Sequence, residues 1–97
     1  MNSNGYNGYT NYETWAVSLW IDNEENSQQY WAGVAQEMLD LEYRYPVSHL
    51  SDALKRAHER EMPEITGVFS DLLNSALSSV NWDEIAQNML DYVKESE

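Results

Sequence analysis

The chain has 97 residues, 42% of them hydrophobic, with four Trp, seven Tyr and one Phe, and seventeen acidic side chains against five basic ones give a net charge of −12. That length implies one domain, and so many aromatics exclude a disordered acidic tail. With no cysteine, disulfides, thiolate-held zinc, iron–sulfur clusters and thiol catalysis are excluded.

Residues 1–9 read as a flexible arm. Asn4-Gly5-Tyr6 is followed at once by Asn7-Gly8-Tyr9; Asn-Gly pairs favour turns and no apolar period is visible. The start, Met1-Asn2-Ser3-Asn4-Gly5, is polar and carries no base, so neither a secretion signal nor a transit peptide is expected. No apolar run approaches the roughly 18 residues of a membrane span. Absence of cysteine fits a reducing compartment, and the expected location is the cytoplasm.

Residues 10–97 read as a single helical domain. A first helix is predicted from Thr10, because Thr10-Asn11-Tyr12-Glu13 has the Thr-x-x-Glu capping-box spacing. Tyr12, Trp15, Ala16, Leu19 and Trp20 then recur on one face, and Asp22-Asn23 ends it. Glu24-Glu25-Asn26-Ser27 suits a second start, through caps and through negative charge at the positive end of the helix dipole. Trp31, Val34, Ala35, Met38 and Leu39 make the apolar face of that helix, and Tyr45-Pro46 is read as its stop.

A third helix is expected over residues 48–61, with a thin stripe of Leu50, Ala53, Leu54 and Ala57. Pro63 then serves as a first-turn residue of a fourth. That fourth helix has the strongest period of the chain, Ile65, Val68, Phe69, Leu72, Leu73, Ala76, Leu77 and Val80, and is expected to be central. Asn81-Trp82-Asp83-Glu84 opens a fifth as an N-cap with acids in the first turn. Trp82, Ile85, Ala86, Met89, Leu90 and Val93 form its stripe. The fold class is all-α, a compact bundle of four to five helices. Trp15, Trp20, Trp31 and Trp82 all fall on stripes and are assigned to the core.

Catalytic equipment is thin. His49 and His58 are not at the i, i+4 spacing of a helical zinc pair. His58 with Glu59 and Glu61 reads more readily as a solvated face than as a ligand cluster. Carboxylate pairs such as Glu37/Asp40 follow from the density of acids, and nothing in the pattern buries one of them as an acid–base dyad requires. The four glycines make no phosphate loop, and the EF-hand spacing is absent. No enzyme activity, metal or cofactor is expected.

The charge is uneven. Residues 1–43 carry seven acids and no base; residues 44–61 carry four bases against three acids; residues 62–97 carry seven acids and Lys94. On a helix, acids three or four apart are spaced by about 4.5–6 Å along the axis, close to a phosphate row. Asp22, Glu24, Glu25, Glu37, Asp40 and Glu42 supply one candidate row; Asp71, Asp83, Glu84, Asp91, Glu95 and Glu97 supply another. Carboxylates offer Arg and Lys the acceptor chemistry of phosphates. Such a surface repels nucleic acid and anionic membranes and attracts basic proteins. Taken alone, the charge is also what keeps any acidic domain from aggregating. Tyr43 and Tyr45, flanking Arg44 before Pro46, are a separate candidate contact, since Tyr and Arg are favoured at interfaces.

Asn11-Tyr12-Glu13-Thr14-Trp15 with Leu19-Trp20-Ile21-Asp22-Asn23-Glu24 resembles a family of small acidic proteins encoded by phages, plasmids and some bacterial genomes. The stretches from Ser70 to Leu77 and from Val80-Asn81-Trp82-Asp83-Glu84 to Ala86 resemble the same family. In size, charge and helicity the chain is also similar in type to phage-encoded DNA-mimic anti-restriction proteins. The resemblance implies a mobile-element setting and carries over no functional residue. The expected function is an acidic nucleic-acid mimic that inhibits a host defence system, of the anti-restriction or anti-CRISPR type. Its partner would be a basic nucleic-acid-binding protein or defence complex, with no direct binding of nucleic acid or membrane. The alternative is a helical adaptor or regulatory module of a mobile element, binding through Tyr43, Arg44 and Tyr45, with self-association as a variant.

Overall fold

Five helices form among residues 5–96, the part of the chain that the computed structural model describes. They are α1 (Tyr12–Asn23), α2 (Glu25–Asp40), α3 (Pro46–Arg60), α4 (Val68–Ser78) and α5 (Trp82–Glu95). The architecture is the expected all-α one. Of the expected arm, residues 1–4 lie outside the described residues. Tyr6 and Tyr9 exchange backbone hydrogen bonds of 2.6 and 2.8 Å across Asn7-Gly8. Both turn residues have positive φ, 49° and 90°, the conformation that favours Asn-Gly in a tight turn.

α5 is the central helix, packed against α1, α2 and α3. Its Ile85, Ala86, Leu90 and Val93 meet Trp31, Ala35 and Met38 of α2, Leu50 and Leu54 of α3, and Ile21 of α1 in one buried cluster. The stripes expected for the second, third and fifth helices are the ones that build this core. Burying each leucine contributes about 1.5–3 kcal/mol.

Four expectations are corrected. The cap of α1 is Asn11, not Thr10: the Asn11 carboxamide oxygen accepts from the Thr14 backbone N–H at 2.9 Å and from the Thr14 hydroxyl at 2.6 Å. The inward face of α1 is Thr14, Ser18 and Ile21, with Val17 packed against the core; Tyr12, Leu19 and Trp20 face outward, and Trp20 is 75% exposed. Pro46 opens α3 at its first position; it does not close α2. Its fixed φ suits the first turn, where the missing N–H has no intrahelical partner anyway. Finally, α4 starts at Val68, so Pro63 and Ile65 precede it, and it is peripheral: none of its residues is buried. Only Leu77 of α4 packs against the core. The radius of gyration is 14.2 Å, against about 12–13 Å for a tightly packed chain of this length.

α2 ends at Asp40, where Glu42 takes a left-handed φ of 57° and its N–H and that of Tyr43 reach back to the carbonyls of Leu39 and Met38. An L-residue there is strained by about 1–2 kcal/mol, while glycine loses more chain entropy on folding. Glu42→Gly is therefore expected to raise stability by about 0.5–1 kcal/mol, read as a higher urea midpoint with an unchanged slope. A lower midpoint would show that the Glu42 side chain makes a contact worth more than the strain.

The N-terminal ends of α1 and α5 are knitted together. The Asn81 backbone N–H donates to the Thr14 hydroxyl at 2.8 Å, and the Asn81 carboxamide oxygen caps α5 by accepting from Glu84 N–H at 3.1 Å. The Asn11 amide donates to the Ser79 carbonyl at 2.7 Å. The Glu84 carboxylate accepts from the Thr10 backbone N–H at 3.0 Å. Thr14 is wholly buried, yet every one of these polar groups has a partner. The segments around Asn11 and Asn81, far apart in the chain, thus meet in one capping network.

Candidate functional site

Among the described residues one ion pair forms, Arg56 to Asp52 at 3.1 Å within α3. The acidic excess is therefore presented to solvent, and the question is where the fold collects it. A groove of about 470 Å³ opens between α1, α2 and α5. Ile21, Ala32, Ile85 and Met89 give it an apolar floor, and Asp22, Asp91 and Glu95 line it with carboxylates. The register of α1 and α5 explains this. Asp22 follows the buried Ile21, and Asp91 follows the buried Leu90, so each acid sits at the margin of a core-facing stripe.

The groove also holds Tyr9, Ser18 and Tyr92. The Tyr9 hydroxyl lies 3.0 Å from the Ser18 hydroxyl in a hydrogen bond, which pins the turn of residues 6–9 beside the groove. Partial burial against this wall pushes the Asp22 carboxyl above its ordinary 3.8. Desolvation disfavours the charged form, so Asp22 favours the fold more when protonated. Its contribution is fullest below the unfolded value near 3.8 and is lost as pH rises through the higher folded value. Asp22→Asn is accordingly expected to raise the melting temperature slightly at neutral pH and to leave it unchanged near pH 3. Equal shifts at both pH values would contradict that origin.

The other candidate acids are distributed. Glu24 is spent on a cap, its carboxylate accepting from Ser27 N–H at 3.0 Å. Glu25, Asp40 and Asp91 accept from Gln29, Gln36 and Gln87 one helical turn away, which holds their side chains along the helix surface. Glu37 lies nine positions beyond the groove-lining Gln28, which at roughly 100° per residue turns it to the opposite side of α2. Asp83 lines a second, shallower depression with His49, Asp52 and Lys55, next to a base. Glu84 is half-buried in the capping network. Asp71 stands on α4, and Glu42 on the α2–α3 connection. Glu97 lies outside the described residues. The two expected rows are thus not two continuous faces. Asp22 from one and Asp91 and Glu95 from the other converge on one groove, while Glu37 faces away.

Tyr43 and Tyr45 occupy the α2–α3 connection. Tyr43 stacks edge-on against His49 at 4.9 Å between ring centres, and the Arg44 guanidinium lies 5.8 Å from the Tyr45 ring centre. Tyr45 is 63% exposed. His58 is used internally, its Nδ1 2.8 Å from the Leu54 carbonyl and its ring against Trp82 at 5.2 Å. The outward side of α1 adds a second aromatic surface that the stripe assignment hid. Tyr6, Tyr12 and Trp15 form a three-ring cluster with centre distances of 5.1–5.6 Å, and Trp20 lies further along the helix.

A model of a family described as a family of unknown function (DUF7249) matches residues 2–96. No curated protein and no solved structure matches the chain.

Proposed function

The chain belongs to the DUF7249 family of unknown function, and from that premise we propose that it is a non-catalytic binding protein that occupies a basic, nucleic-acid-binding surface of another protein. The reading rests on one observation: carboxylates from opposite ends of the chain, Asp22 with Asp91 and Glu95, line a single groove with an apolar floor. A groove of that kind accepts an arginine or lysine side chain. Its stem packs on Ile21 and Met89 while its head meets carboxylates in place of phosphates.

The magnitude of the charge fixes how the imitation works. The longest dimension is 45 Å, and B-DNA of that length carries about 26 phosphate charges, more than twice the −12 available here. The mimicry is therefore local, concentrated where carboxylates gather, and not a copy of a whole duplex. In the mobile-element setting that the Asn11–Trp15 resemblance implies, the natural target is a host defence complex that binds DNA or RNA, as for anti-restriction or anti-CRISPR inhibitors. The protein inhibits it by occupying the groove that nucleic acid would enter.

The test is capture from a host lysate at low salt followed by elution with duplex DNA. A nucleic-acid-binding protein released by DNA is the expected result. A partner that resists both DNA and high salt would overturn the reading in favour of an adaptor bound through apolar contacts. The exposed Tyr43, Arg44 and Tyr45 are the observation that favours that second reading, and Tyr43→Ala would then weaken capture more than any loss of acid.

A further inference from the structure

The strongest apolar period of the chain is the one that the core leaves uncovered. Val68, Phe69 and Leu72 of α4 are 63%, 68% and 61% exposed. Leu72 follows Val68 by four positions and Phe69 by three, so the three share one helix face. Met62 and Ile65, both exposed, precede them on the approach to the helix. Gly67 starts α4 at φ 72°, ψ −147°, a region essentially reserved for glycine. The backbone is thus bent to a specified geometry where the helix leaves the bundle.

We propose that this face is a self-association surface on which two copies of the chain pair through Val68, Phe69 and Leu72. Charge selects the occupant. From Met62 to Val80 the chain carries only Glu64 and Asp71 as charged residues, and Asp71 sits at the edge of the face, roughly 60° around the helix from Val68 and 100° from Leu72. Two molecules of charge −12 repel wherever their acids meet, so they approach most easily through this sparsely charged segment. A basic partner, by contrast, is drawn to the carboxylate groove on α1, α2 and α5, since α4 carries a single carboxylate, Asp71.

Area agrees. The exposed side chains amount to an apolar patch on the order of 400 Å² per copy, at the scale that marks interaction sites. Two such patches bury about 800 Å² between them, which places the pairing among weak, concentration-dependent interfaces. A stripe laid against its own copy is self-complementary about a two-fold axis. This surface is separate from the groove, and the inference does not depend on the proposed target.

Sedimentation equilibrium on the purified full chain tests it, from low micromolar to near-millimolar concentration. The expected mass is twice the 11.3 kDa of one chain at the upper end. Added salt should strengthen the dimer by screening acid–acid repulsion. Phe69→Glu, placed twice in a two-fold interface, should raise the dissociation constant at least about 100-fold. Leu72→Glu should do the same, with circular dichroism confirming that both variants keep their helices. A wild type that stays monomeric throughout, at high as at low salt, would overturn the proposal. So would a dimer that Phe69→Glu leaves intact, or a monomer whose capture of a target is lost on Phe69→Glu.

Discussion

Thr14→Val is expected to destabilise the fold far more than Trp20→Ala, although the first replaces one small side chain by another of nearly the same shape and the second removes one of the two tryptophans of α1. Thr14 is wholly buried. Its hydroxyl accepts from Asn81 N–H at 2.8 Å and donates to the Asn11 carboxamide oxygen at 2.6 Å. Valine leaves the Asn81 N–H facing a methyl group, and an unsatisfied buried donor costs about 1–3 kcal/mol. The loss falls where α1 and α5 start together, so both caps loosen. For a domain this small the melting temperature should fall by about 5–20 °C. Trp20 is 75% exposed, and its removal should change stability by no more than about 0.5 kcal/mol. Thr14→Ser keeps the hydroxyl and should recover most of the loss. Thermal unfolding of the three variants checks the ranking. A larger loss for Trp20→Ala would mean that the apolar stripe of α1, and not its polar one, faces the core.

The second large effect concerns binding. Reversing Asp22, Asp91 and Glu95 to lysine places three positive charges around the groove. Coupling energies of close interfacial charge pairs run about 1.5–7 kcal/mol, so the triple reversal should weaken binding to a captured basic partner by about 1,000-fold or more. Glu37→Lys, on the far side of α2, should change affinity by less than about threefold at physiological salt, because salt screens charges separated by more than about 8 Å. Both variants reduce the acidic excess and should fold. A Glu37 effect as large as that of the triple variant would show that net charge alone, and not the groove, drives binding.

The faces of α2, α3 and α5 were legible in the residue pattern because their apolar stripes are the core. α1 was not. Its most periodic residues, Tyr12, Trp15, Leu19 and Trp20, lie around the outside or its margin, while Thr14 and Ser18 are buried. That inversion depends on partners outside the helix: Asn81 for Thr14, and the Tyr9 hydroxyl for Ser18. Periodicity registers hydrophobicity and is blind to a hydroxyl whose hydrogen bonds are met by another segment. α4 misled for a different reason. A 3.6-residue apolar period shows that a helix has something to cover, and is the same whether the cover is its own core or another molecule. Pro46 was ambiguous in kind, since proline both ends one helix and starts the next.

The candidate site was half legible. Asp22, Asp91 and Glu95 stood among the candidate acids, but their convergence requires α1 and α5 to pack side by side. The roles of Tyr9 and Tyr92 in the same groove left no local signal. The Asn11–Trp15 and Asn81–Glu84 segments that carried the family resemblance turn out to hold the capping network, so their clearest assignment is to building the fold.

Electrostatic binding is tested by the salt dependence of affinity between the wild-type protein and a captured nucleic-acid-binding partner, with and without the Asp22/Asp91/Glu95 reversal. Electrostatic occupation of a basic groove predicts a steep loss of wild-type affinity as salt rises, and a much shallower slope for the reversed variant. A wild-type affinity that stays flat from low to high salt would contradict it.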